Sequence, residues 1–128
     1  MREEIRRWIE FAASDLETAQ VLHHAERHPA AVFHCQQAIE KALKGLYIAE
    51  VDAMFPRSHS LAEIAQATSF PRSQFEFLRE LTARYIDTRY PSFPTEKITD
   101  IYDHTYSEEV LAKTEGILKW IQDRLSRT

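Results

Sequence analysis

From Glu3 to Glu50 apolar residues recur at helical spacing in two long runs, interrupted only near Pro29. Ile5, Ile9, Ala12, Leu16, Ala19 and His23 form one stripe of a helix expected over about Glu3 to Glu26. Trp8, Asp15 and Leu22 lie beside that stripe, with Phe11 further round. His23, His24 and Arg27 complement the negative end of the helix dipole. Pro29 suits the first turn of a second helix, where its missing N–H is not needed. In that helix, to about Glu50, Val32, Cys35, Ile39, Ala42, Leu43 and Leu46 make the core stripe. Ala31, Ala38, Gly45 and Ala49 form a flank small enough for a close helix contact, within the bundle or between subunits. Such packing would offset the roughly 1 kcal/mol that a mid-helix glycine costs relative to alanine. Gln37, Glu40, Lys41 and Lys44 occupy the polar side, with Glu40 and Lys44 at i,i+4 spacing.

The remainder reads the same way. Met54 to Ser58 is a loop, and Ser60-Leu61-Ala62-Glu63 has the spacing of a capping box opening a short helix to about Ala67. Ser73-Gln74-Phe75-Glu76, after Pro71, has the same spacing and predicts a helix reaching about Arg89, ended by Pro91 and Pro94. Tyr90 to Tyr106 is a connection, and a last helix is expected from near Ser107. Its inner stripe is Val110, Thr114, Ile117, Ile121 and Leu125, with Leu111 and Leu118 beside it. Only two glycines and no Asn-Gly or Asp-Gly hairpin signal occur. The expectation is an all-α fold, four main helices plus one short one, in a single domain over residues 1–128.

Composition excludes several classes. A hydrophobic fraction of 44% and a charged fraction of 28% are those of a globular domain. The apolar runs are too short to span a bilayer, and the N-terminus opens straight into an amphipathic helix with no signal-peptide core. Cys35 is the only cysteine, so no internal disulfide forms and a cytoplasmic setting is expected. The net charge of −4 argues against a general duplex-DNA coat but leaves room for a local basic pocket.

Candidate chemistry is sparse. A di-iron bundle needs Glu-x-x-His, and no histidine here has a glutamate three residues before it. A zinc set of His24, His28, His34 and Cys35 is weakened by the intervening Pro29, and a cationic helix end already explains the cluster. No metal site is therefore expected; His23 reads as a core-edge histidine and Cys35 as a small buried hydrophobe. Phosphate loops, nucleophile elbows and cysteine-protease signatures are missing, so no catalytic residue is assigned. Arg89 extends the inward stripe of Leu78, Thr82 and Tyr85. Buried there, it needs a carboxylate, a carbonyl, an oligomer partner or a ligand. The plainer alternative is a helix that frays at Thr88 and lets Arg89 reach water, just as Lys41 and Lys44 also read as a solvated face.

Several fragments then fall in a familiar order. Trp8 with Ala13-Ser14-Asp15-Leu16, the run Gln36-Gln37-Ala38-Ile39-Glu40-Lys41-Ala42-Leu43-Lys44, His59-Ser60-Leu61, Thr88-Arg89-Tyr90-Pro91, and Tyr106-Ser107-Glu108-Glu109 before a Trp120-bearing helix resemble the HEPN family over nearly the whole chain. The resemblance implies an up-and-down bundle, usually a homodimer. It also implies a complex, in toxin–antitoxin fashion, with a minimal nucleotidyltransferase partner. Other members are metal-independent RNases with an Arg, four to six residues, then His. Here the first histidine after Arg89 is His104, too distant for that motif. Arg27 and His34 have the spacing, but they sit at the first helix–helix turn and chance supplies such pairs at this composition. The expected function is thus a nucleotide- or RNA-binding module without a cofactor. Its contacts would be Lys41, Lys44, His59, Arg89 and Tyr90: lysines on phosphate, Arg89 bidentate, Tyr90 stacked on a base. The alternative is an RNase toxin in which Arg89 stabilises charge and His59 or His104 moves the proton.

Overall fold

The structure, a computed structural model, describes residues 1–89 and 101–127; of residues 87–89 only the backbone is described. Helices α1 (Glu3–His24), α2 (His28–Val51), α3 (Leu61–Ala65), α4 (Phe75–Arg89) and α5 (His104–Ser126) make an up-and-down bundle, with no strand among the described residues. None of these helices is long and apolar enough to cross a membrane.

α2 is the central element, packed against each of the other four. Its predicted core stripe is buried throughout, and Gln36 and Glu40 are buried with it. At Gly45 the small-residue flank serves a contact inside the bundle. A Cβ added to Gly45 would lie 3.3 Å from the Ile9 Cδ1 and from the Trp8 Cβ, so α1 rests directly on this part of α2. The α1–α2 contact is the most extensive in the fold.

The turn between these two helices is tight and fully hydrogen-bonded. Glu26 N–H donates to the His23 carbonyl at 3.0 Å and Arg27 N–H to the Leu22 carbonyl at 2.8 Å. This double closure is a Schellman motif, and its left-handed position falls on Glu26 (φ 61°) where glycine is the usual occupant. The turn brings the His23 and His28 rings to 5.3 Å centroid to centroid, tilted by 59°.

Four boundaries depart from the sequence reading, the first being α1, which ends at His24 rather than Glu26. The capping box at Ser60 forms, with Ser60 Oγ accepting from Glu63 N–H at 3.3 Å, but α3 ends at Ala65 rather than Ala67. The second expected box does not form. Ser73 lies inside a 3-10 turn (Arg72–Gln74) that leads into α4 without a side-chain cap. Finally, α5 begins at His104, three residues before Ser107, because Asp103 caps it: its Oδ1 accepts from Tyr106 N–H at 2.8 Å. Of the connection expected over 90–106, residues 90–100 lie outside the described residues. The inner stripe of α5 is buried as its spacing predicts, from Val110 to Leu125.

Candidate functional site

Two carboxylates organise the polar face of α2. Glu40, on the polar side by spacing, is in fact buried, its side chain only 7% exposed. It accepts from Lys44 Nζ at 3.0 Å, from His59 Nδ1 at 3.1 Å and from Gln36 Nε2 at 3.3 Å. Asp15, on α1, accepts from His34 Nδ1 at 3.1 Å and from Lys41 Nζ. Buried charge is tolerated only when paired and hydrogen-bonded, and both carboxylates meet that condition.

The two lysines differ in what they offer. Lys44 is boxed between the Trp8 ring at 5.4 Å and the Phe55 ring at 4.7 Å, themselves edge to face. With its side chain 15% exposed and paired to Glu40, it holds the face together from inside. Lys41 is more open, paired with Asp15 and lying 5.9 Å from the Phe11 ring centroid. A phosphate there would share the ammonium with Asp15.

His59 is the most accessible group in the cluster, its side chain 60% exposed. A carboxylate only accepts, so the contact with Glu40 places a proton on Nδ1. The imidazole stacks on Tyr85 of α4 at 4.7 Å, and Tyr85 stacks in turn on Phe33 of α2 at 5.8 Å. The segment carrying His59 is tied to α4 one turn earlier. Thr82 Oγ1 accepts from Leu61 N–H at 3.1 Å while donating to the Leu78 carbonyl at 2.9 Å. Arg89 follows Tyr85 by one helical turn at the end of α4; its side chain and all of Tyr90 lie outside what the structure describes. Of the expected contacts, then, Lys44 and His59 meet on Glu40, and Lys41 sits one turn away on Asp15.

The remaining candidates separate. Cys35 is buried, and burial pushes its thiol up to about 12, opposed by a hydrogen bond with Thr114. His28 does not join His34 and Cys35; it meets His23 and His104 at the end of the bundle where α1 stops and α2 and α5 start.

Residues 5–124 match the HEPN domain. The chain belongs to the HEPN family. Among its relatives is a Methanocaldococcus jannaschii protein named "Putative toxin MJ1304", 26% identical, the match covering 92% of this chain and 86% of that one. Two solved structures share the fold. TT1696 from Thermus thermophilus is 29% identical with a TM-score of 0.83, over 95% of this chain and 98% of that one. ST0689, described as an archaeal HEPN homologue, is 26% identical with a TM-score of 0.76, over 97% and 98%. On this HEPN bundle the run from Gln36 to Lys44 supplies the buried carboxylate Glu40, and His59-Ser60-Leu61 is the entry to α3 that sets the imidazole upon it.

Sequence reasoning missed Asp15, Glu40, Phe33 and Tyr85 as parts of one face. The signal was faint: a carboxylate on a helical stripe's edge, and two aromatics whose partners lie tens of residues away.

Proposed function

We propose that this HEPN protein is a nucleotide- or RNA-binding module that acts in toxin–antitoxin fashion, as a homodimer in complex with a minimal nucleotidyltransferase. The observation that carries this reading is the His59 imidazole, exposed, fixed by Glu40 and backed by Tyr85. An imidazole presented flat beside a lysine suits a base and a phosphate on single-stranded RNA or a nucleotide. Arg89, one turn beyond Tyr85, is the proposed bidentate phosphate ligand, with Tyr90 as a second stacking surface. The relative named as a toxin supports the biological setting. The test is co-purification from the native host with identification of bound protein and nucleotide, followed by RNA-binding titrations. Arg89→Ala and His59→Ala are each expected to weaken binding tenfold or more with helicity retained. Unchanged affinity in both variants would remove this face from the function.

One feature favours a second reading. A histidine held at Nδ1 by a buried carboxylate has the arrangement of a general acid–base. His59 lies on the α4 side, whereas His104 belongs to the other histidine cluster. An RNase toxin would therefore use His59 with Arg89. Cleavage of single-stranded RNA by purified protein, lost in both His59→Ala and Arg89→Ala, would establish it; binding without products would leave the first reading alone.

A further inference from the structure

His23, His28 and His104 come from three different helices and meet in one place. One ring nitrogen from each lies within 4.8 Å of the other two. The ring centroids are 4.6 Å apart for His23 and His104, 5.3 Å for His23 and His28, and 5.5 Å for His28 and His104. Three imidazoles at such range repel one another if protonated and gain little from contact if neutral. Chain topology brings them there: the tight α1–α2 turn sets His23 beside His28, and the Asp103 cap starts α5 at His104.

Two details point to an ion. His28 is buried at 9% exposure, and its Nδ1 has no hydrogen-bond partner among the described residues. A buried imidazole nitrogen without a partner calls for an explanation, and a bound metal is one. Meanwhile His23 Nδ1 is 2.8 Å from the buried Ser107 Oγ. With Nδ1–H donating to that hydroxyl, the tautomer is fixed and Nε2 is left as a donor atom, the outer-shell arrangement that ligating histidines use. Glu108, one turn along α5, places a carboxylate oxygen 3.5 Å from His104 Nε2 and can orient that ring in the same manner. A cleft lined by His23, His104 and Glu108 leads to the group from solvent.

We propose that His23, His28 and His104 form a transition-metal site suited to Zn2+, with Ser107 and Glu108 as outer partners and the fourth position open to solvent. Imidazole donors select zinc and its first-row neighbours over calcium or magnesium. Tetrahedral zinc with Zn–N near 2.0–2.1 Å needs nitrogens about 3.3 Å apart, so the rings close inward on the ion.

The test uses untagged, full-length protein stripped with chelator and desalted. Zn2+ is titrated calorimetrically, and Co2+ is added as a spectroscopic probe of tetrahedral coordination. Saturable one-to-one binding with a Kd on the order of 1 μM or tighter is expected, with visible Co2+ bands. His104→Ala, at an exposed ring, should weaken binding at least 100-fold and abolish the bands; Glu108→Gln should weaken it roughly tenfold. His28→Gln should match His104→Ala, and if it fails to fold, His104→Ala carries the test. Absence of saturable binding up to about 100 μM, far above the 1 μM scale, or binding that His104→Ala leaves unaltered, overturns the proposal.

Discussion

The molecule has two clusters of histidines built on opposite electrostatic plans. On the α2 face each imidazole and each lysine is bound to a carboxylate: His34 and Lys41 to Asp15, His59 and Lys44 to Glu40. At the helix ends, three imidazoles lie together, and the exposed Glu108 contacts one of them, His104, at the margin. The first cluster is complete within the protein and is held rigid by its own charges. The second has donors in excess of what it needs to hold itself together. A charge removed from the first cluster therefore has to be paid for in stability, whereas the second tolerates the loss of Glu108.

The largest effect expected from that contrast is Glu40→Ala. It strands the largely buried Lys44 ammonium and frees His59, and should destabilise by about 3–5 kcal/mol, read as a lower urea midpoint by circular dichroism. An effect under about 1 kcal/mol would mean that the pair only breaks even against water, and that the face is less rigid than its hydrogen bonds suggest. Asp15→Asn keeps the shape but removes the charge opposite Lys41 and His34; about 1–2 kcal/mol is expected by the same assay.

The second cluster should respond to pH instead. Burial and the neighbouring imidazoles hold the folded-state pKa of His23 below 6.5, whereas the unfolded chain protonates near 6.5. As pH falls below that value the unfolded state takes up the proton first, so this contribution to stability is full above pH 6.5 and declines beneath it. Urea midpoints between pH 7.5 and 5.5 should fall less steeply in His23→Gln than in the parent. An identical slope would show that His23 is not what the proton finds. The smallest effect is Glu108→Gln in chelator-stripped protein, under about 0.5 kcal/mol for an exposed pair. Set against Glu40→Ala, that variant measures how differently the two clusters use a carboxylate.

The bundle was legible because its evidence is periodic and local. The stripe from Val110 to Leu125 and the stripe from Val32 to Leu46 are each visible inside one helix, and both are buried as expected. Local signals misled only where two of them competed. Ser73 has the capping-box spacing but follows Pro71, and the chain forms a 3-10 turn there; Asp103, three residues before Tyr106, is the true cap of α5. The candidate face was legible in part. Glu40 and Lys44 form the pair their spacing predicts, yet nothing local says that the pair is buried or that His59, nineteen residues on, joins it. The histidine cluster was out of reach because His104 is 81 residues from His23 and meets it only through the packing of α5.

The tight turn at Ala25–Arg27 also has a consequence in time. It makes α1 and α2 neighbours along the chain as well as in space, and contacts close in sequence form first because they close short loops. A helical hairpin with Gly45 seated on α1 is therefore the earliest structure expected as the chain is made. The other side of α2, around Cys35, waits for Thr114 and the rest of α5. At about 5–20 residues per second, synthesis of the intervening chain lasts on the order of ten seconds. During that interval the nascent protein carries an apolar helix flank in water, and this unfinished hairpin is the form most open to chaperones, proteases and aggregation.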